Sequence, residues 1–190
     1  MRYKDAAKQI EQYQAEVREL RRKMQAARAA AEPEEVQDYE FASRDGKVRL
    51  SALFGGRDDL FVIHNMGKSC PHCTLWADGF NGIYHHLTDR AAFVVSTPDA
   101  PEVQNQFAAS RSWRFAMVSH RGTTFAADMG YLSKSGGFLP GVSVFRRAGP
   151  RTLRVSDAGF QPLDDFCSLW HLFDLLPDGA KGWRAKFAYS

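Results

Sequence analysis

The sequence predicts an α/β fold, a central mixed sheet flanked by helices, in a body of residues 33–190 that follows an N-terminal helical arm of residues 1–32. Three observations predict it. Two short apolar runs, Leu60 to His64 and Ala91 to Ser96, lack the alternation of a half-solvated strand and read as central strands covered on both faces. A helical pattern lies between them, and the order strand, helix, strand implies parallel pairing. A later pair of runs, Leu139 to Phe145 and Thr152 to Ser156, is led by Pro140 and joined by a turn around Arg147-Ala148-Gly149-Pro150, which reads as a hairpin at the sheet edge. With 190 residues and 44% hydrophobic content, the chain can bury one sizeable core with appendages.

In the arm, Tyr3, Ala6, Ile10, Tyr13, Val17, Leu20, Met24 and Ala27 recur in alternating steps of three and four, the period of a helix with a narrow apolar seam. Either it lies across a globular body or it pairs with another helix; alanines on the seam make it a weak coiled coil. We expect a homodimer through this helix. The arm holds eight basic and five acidic side chains, so the net charge of +3 belongs to it and the rest of the chain balances. Its arginines cluster toward the C-terminal half, where they complement the helix dipole, and no nucleic-acid partner is expected. Pro33 and its acidic neighbours end the helix and mark a linker.

The body opens with Tyr39-Glu40-Phe41, a turn at Arg44-Asp45-Gly46-Lys47, and Val48 to Phe54, read as a hairpin followed by one helical turn. After the Leu60 strand, Asn65 to Ser69 is a strand-to-helix loop, the position where open α/β sheets place their chemistry. It delivers Cys70-Pro71-His72-Cys73 to a helix expected to run from Thr74 to Leu87. Ala100 to Ser110 is a second helix opened by Pro101, and Phe115 to Ser119 a short extended piece. Gly122 to Gly137 carries no clear pattern. A last helix is expected from Gln161-Pro162-Leu163 to Leu176, with Leu163, Phe166, Leu169, Trp170, Phe173 and Leu176 on one face.

Cys70 and Cys73 carry the chemistry. In a first helical turn their spacing suits a disulfide, and both sulfurs lie beside unpaired backbone N–H groups. Those donors and the helix dipole favour a thiolate, so one cysteine is expected to have a lowered pKa. Pro71 fits the first helical position, where its missing N–H costs nothing. A protonated His72 would stabilise the thiolate further. Metal binding by the pair is the competing reading, but zinc needs four ligands and the sequence supplies no second pair at short spacing, so no metal or other cofactor is expected. Cys167, among Phe166, Leu169 and Trp170, reads as a buried core thiol. Asp78 is either a base near the thiols or a solvated helix carboxylate. His64 reads as a strand-end histidine satisfied by backbone, His85, His86 and His171 as surface residues, and Trp76 and Phe80 as a core pair. No apolar run reaches the length of a membrane span and no signal-peptide h-region appears, which points to a cytoplasmic protein with no membrane partner.

The strand, helix, strand unit with Cys-x-x-Cys at its helix start, followed by a proline-led hairpin and helix, resembles the thioredoxin fold. Gly46-Lys47-Val48-Arg49-Leu50-Ser51-Ala52-Leu53-Phe54 is similar to the lead-in of its alkyl-hydroperoxide-reductase and thiol-antioxidant branch. The charged N-terminal helix, Cys70-Pro71-His72-Cys73 followed by Trp76-Ala77-Asp78-Gly79-Phe80-Asn81-Gly82, then Val118-Ser119 and Leu139 to Phe145, resemble a bacterial thioredoxin-like family known only as domain of unknown function 899. The resemblance implies a thiol-disulfide oxidoreductase in which Cys70 attacks and Cys73 resolves. Its partners would be protein or small-molecule thiols and disulfides and a cellular thiol reductant. It also implies a cis-proline at Pro140 facing the disulfide, with the backbone before it free to pair with a substrate strand. The Pro-His dipeptide is that of strongly oxidising periplasmic members, whose thiolate pKa is very low; a reducing role suits the cytoplasm better. A thiol peroxidase is the alternative, against which stands the absence before Cys70 of the Pro-x-x-x-Thr-x-x-Cys arrangement of typical peroxiredoxins. A non-catalytic interaction protein with a thioredoxin-like body is the other.

Overall fold

A computed structural model describes residues 2–189, which separate into two compact units, 2–33 and 34–189. The first is the helix α1 (Tyr3–Ala30), which buries none of its residues. Its seam is open: Ile10, Tyr13, Val17, Leu20 and Met24 are all about half exposed. The helix stops three residues before Pro33, since proline disfavours helical backbone in the residue preceding it.

The second unit is built on one eight-stranded sheet in the order β1-β8-β7-β4-β5-β6-β2-β3. The segment read as a linker is in part a strand: β1 (Glu34–Val36) pairs antiparallel with β8 (Arg151–Gly159). The hairpin of β7 (Gly141–Ala148) and β8 is therefore not at the edge, because β1 covers its outer strand. At the opposite edge β2 (Glu40–Ser43) and β3 (Gly46–Arg49) form the expected hairpin, followed by a 3-10 turn over Leu50–Phe54. β4 (Asp59–His64) is central, parallel to β5 (Ala92–Thr97) and antiparallel to β7. β6 (Ala116–Ser119) extends the parallel set beyond β5.

Alternate residues of β4 feed two cores, as the pleat of a strand requires. Leu60 and Val62 join Phe41, Phe54, Phe125 and Phe145 on one face. Phe61 and Ile63 join Cys70, Cys73, Trp76, Phe93 and Trp170 on the other.

Two helices differ from expectation, each for a local polar reason. The helix after Cys73 is broken into α2 (Pro71–Gly82) and α3 (Tyr84–Arg90). The Asn81 carbonyl accepts from Arg114 Nη2 at 2.7 Å, its side chain accepts from the Arg114 N–H at 2.9 Å and donates to the Ser112 carbonyl at 3.2 Å. Those bonds hold Asn81 to the loop after α4 (Pro101–Ser110), and the α2 helix ends one residue later. The last helix begins late and ends before Leu176, as α6 (Ser168–Phe173), and Leu163 and Leu176 are exposed. Leu163 has a left-handed φ of 74°, and the Asp164 carboxylate accepts from the N–H groups of Gln161 and Phe166 and from Trp76 Nε1, so this stretch is a side-chain-bonded loop in place of a helical turn. The unpatterned stretch holds one short helix, α5 (Phe125–Asp128), and a loop closed by a bridge between Leu132 and Phe138.

Candidate redox site

The site starts at the carboxyl end of β4. Asn65 Oδ1 accepts the Gly67 N–H at 2.8 Å, bending the chain, and the Lys68 N–H donates to Asp99 Oδ2 at 2.7 Å. Gly67 has φ +100°, and a Cβ there would stand 2.9 Å from Asp99 Oδ2, so only glycine fits this approach. The Cys70 N–H then closes a turn onto the Gly67 carbonyl at 3.1 Å.

Cys70 is the N-cap of α2 and Pro71 its first helical residue, as the sequence predicts. Cys70 Sγ accepts the Cys73 N–H at 3.1 Å, taking the place of a Ser or Asp cap oxygen. Cys73 Sγ lies deeper and accepts the Met66 N–H at 3.5 Å. All three cysteines are in the free thiol form. The two sulfurs of the motif differ in exposure and acidity. Cys70 is 9% exposed and Cys73 3%. The Cys73 thiol donates to Cys70, and with the backbone N–H groups of Cys73 and His72 it brings the Cys70 pKa down to about 7 against the opposing effect of burial. That bond holds the proton on Cys73, and burial adds to it, so the Cys73 thiol is pushed far up. A dithiol with one acidic and one strongly retained proton can attack a disulfide or peroxide at Cys70 and then close on itself through Cys73.

The other predicted residues are placed as follows. His72 contributes its backbone N–H to Cys70, while its ring lies 6.3 Å from that of Trp76 and 6.4 Å from that of Trp170. Asp78 is not turned to the thiols: it is bonded to Arg111, through Nη2 and through Nε at 3.2 Å, and to Trp113 Nε1 at 2.8 Å. Pro140 lies just before β7, whose first residue pairs with His64, so it is on the same sheet edge as the loop. Its peptide bond is trans, for no cis bond occurs among the described residues, and the Leu139 N–H is already spent on the Tyr131 carbonyl at 2.9 Å. The cis-proline with free preceding backbone is thus corrected. Cys167 is buried in the same core as the cysteine pair, and burial raises its pKa.

A second polar group lies on the opposite face of the sheet and was missed in part. His64 is not satisfied by backbone: its Nε2 shares a 2.9 Å hydrogen bond with Ser143 Oγ, and its ring stacks on Tyr131 at 3.8 Å. His120 Nδ1 similarly meets Ser96 Oγ at 2.9 Å. Burial is the first cause holding both rings neutral, with the His64 pKa lowered to about 3 and that of His120 to about 4. The signal available in the sequence was a histidine at the carboxyl end of an apolar run, present at both positions.

A family model described as "Bacterial protein of unknown function (DUF899)" matches residues 1–187. The chain belongs to that family. A search of curated proteins finds no significant match. Among solved structures, this DUF899 protein is similar to a peroxiredoxin Q mutant from Xanthomonas campestris, at 17% identity and a TM-score of 0.55, over 64% of this chain and 80% of that one. It is also similar to peroxidoxin BcpB from Mycobacterium tuberculosis, at 23% identity and a TM-score of 0.54, over 65% of this chain and 84% of that one. A peroxiredoxin-like protein from Aquifex aeolicus matches at 15% identity and a TM-score of 0.53, over 67% of this chain and 74% of that one. The fold of this DUF899 protein is thus the thioredoxin-like fold that peroxiredoxins share.

Proposed function

We propose that this protein is a thiol-disulfide oxidoreductase in which Cys70 attacks and Cys73 resolves. The observation that carries the reading is the bond pattern at the start of α2: Cys70 Sγ accepts from the Cys73 N–H and from the Cys73 thiol, so one sulfur is readied as a thiolate while its neighbour keeps its proton. In the first step the Cys70 thiolate attacks one sulfur of a substrate disulfide, forming a mixed disulfide and releasing the other sulfur as a thiolate that takes a proton from solvent. Cys73 then gives up its proton and attacks Cys70 Sγ, releasing the second substrate thiol. The substrate gains two electrons, the protein loses two, and a cellular thiol reductant restores the dithiol. The chemistry needs no metal or cofactor.

The second reading, a thiol peroxidase, draws on the solved structures above, which are named as peroxiredoxins. There the Cys70 thiolate would attack one oxygen of a peroxide, breaking the O–O bond and releasing the other oxygen as water or an alcohol, and Cys73 would condense with the resulting sulfenic acid to the disulfide and water. One experiment tests both: titration of the purified protein against glutathione buffers, with thiol trapping and mass spectrometry, beside a peroxide-consumption assay. A reversible two-electron transition confined to Cys70 and Cys73 is expected. Slow peroxide turnover beside fast disulfide exchange supports the oxidoreductase, and the reverse supports the peroxidase. No reversible bond between the two cysteines leaves neither reading standing.

A further inference from the structure

A crevice of about 570 Å³ opens at the carboxyl ends of the parallel strands β5 and β6, between the start of α4, α5 and the loop closed by the Leu132–Phe138 bridge. That volume is in the range of small-ligand sites, and carboxyl ends of parallel strands are where open sheets bind ligands. Its rim carries two exposed cations, Lys68 and Arg121, against one carboxylate, Asp99, which already accepts the Lys68 N–H. α4 begins at this crevice with no side-chain cap on Ala100, and the N–H groups of Glu102 and Val103 precede the first helical bond, from the Gln104 N–H to the Ala100 carbonyl. The walls are apolar: Val103, Ala126, Ala127, Leu132 and Phe138.

An independent observation comes from the floor. His120 lines the crevice, is 3% exposed, and its Nε2 has no hydrogen-bond partner among the described residues. Its position is fixed, because Nδ1 meets Ser96 Oγ, the His120 N–H donates to the Thr97 carbonyl at 3.0 Å, and the His120 carbonyl accepts from Thr123. A buried ring nitrogen without a partner is costly unless something fills that place. We infer that this crevice binds a small organic anion, a carboxylate on a short apolar body. The carboxylate sits between Lys68, Arg121 and the uncapped start of α4, the body lies on the apolar wall, and His120 Nε2 donates to a ligand oxygen while Nδ1 accepts from Ser96. The inference does not rest on the redox reading.

The test uses the full chain, kept reduced, titrated by calorimetry with octanoate and with octanamide, its uncharged counterpart of the same length. Saturable octanoate binding is expected, about tenfold or more tighter than octanamide and weakening as salt is added. Arg121→Ala and Lys68→Ala are each expected to weaken octanoate several-fold without moving octanamide, and Ala127→Trp to block both while melting as a folded protein. Nitrogen NMR of the His120 ring should show the Nε2–H tautomer on binding. Absence of saturable octanoate binding overturns the inference. Equal affinity for acid and amide also overturns it, by reducing the site to an apolar groove. Octanoate binding that survives all three substitutions overturns it by placing the anion elsewhere.

Discussion

At Cys70 the thiol pKa is lowered first by the hydrogen bond from the Cys73 thiol, the largest single cause, and then by the backbone N–H groups at the helix start. Cys73→Ala is therefore expected to raise the Cys70 pKa from about 7 toward an ordinary thiol, and Cys73→Ser, which keeps a donor, to raise it less. Ultraviolet absorbance of the thiolate against pH measures this; Cys70 curves in both variants equal to that of the parent protein would show that the helix start acts alone. The placement of both cysteines at the helix start was legible in the sequence, because Pro71 and the three-residue spacing fix where the helix begins. The role of Asp78 was not, since its partners Arg111 and Trp113 are 33 and 35 positions away. The buried histidines give a second residue-scale prediction. Their folded pKa values, about 3 and about 4, lie below the unfolded value of 6.5, so the unfolded chain binds more protons on the acid side. The stability they confer is full above 6.5 and is lost as pH falls toward 4 and then 3. Denaturant unfolding across that window should show the loss, and His64→Gln should lower its slope by up to about one proton, or about 1.4 kcal/mol per pH unit. An unchanged slope would mean that His64 does not titrate between the two states.

At the scale of elements, short apolar runs located the strands β4 and β5, a short extended piece β6, and Pro101 the start of the helix α4, because all of these are local properties of the chain. They placed the helix ends less well. Nothing near Asn81 or Asp164 in sequence shows that their side chains are taken up elsewhere: Asn81 by Ser112 and Arg114, Asp164 in part by Trp76. The break after α2 follows from those bonds. Asn81→Ala removes both side-chain bonds and should cost about 1 to 2 kcal/mol in urea unfolding. Arg114 would then keep its bonds to the residue 81 carbonyl and to the His85 ring. Stability equal to the parent protein would show that the break is set by Gly82 instead.

For the whole molecule, strand order was the part least open to sequence reading. The hairpin β2–β3 joins the sheet beyond β6, and β1 joins it at the other edge beyond β8, through partners far along the chain. Such pairings depend on which edges remain free once the centre has formed. The arm poses the opposite case. α1 is 28 residues long and buries none of them, although a helix with a continuous apolar seam is stabilised in water mainly by packing of that seam. In a parallel pair Glu16 would face Arg21 of the second copy, while Lys23 would face Arg28, so charge permits a weak dimer. Sedimentation of the full chain should show a dimer, and deletion of residues 1–32 a monomer; an unchanged oligomeric state would remove this role from the arm.

The alternation along β4 carries a further consequence for how such a chain can change. Its even-numbered residues, ending in His64, pack with the core of Phe125 and Tyr131, while Phe61 and Ile63 face the core that holds both motif cysteines. Insertion of one residue within β4 would exchange the two sets across the sheet, bringing an imidazole to the thiol side and aliphatic carbon to Ser143. Length variation among relatives should therefore collect in the Gly55–Asp58 turn and spare these six positions, even where the side chains themselves are replaced.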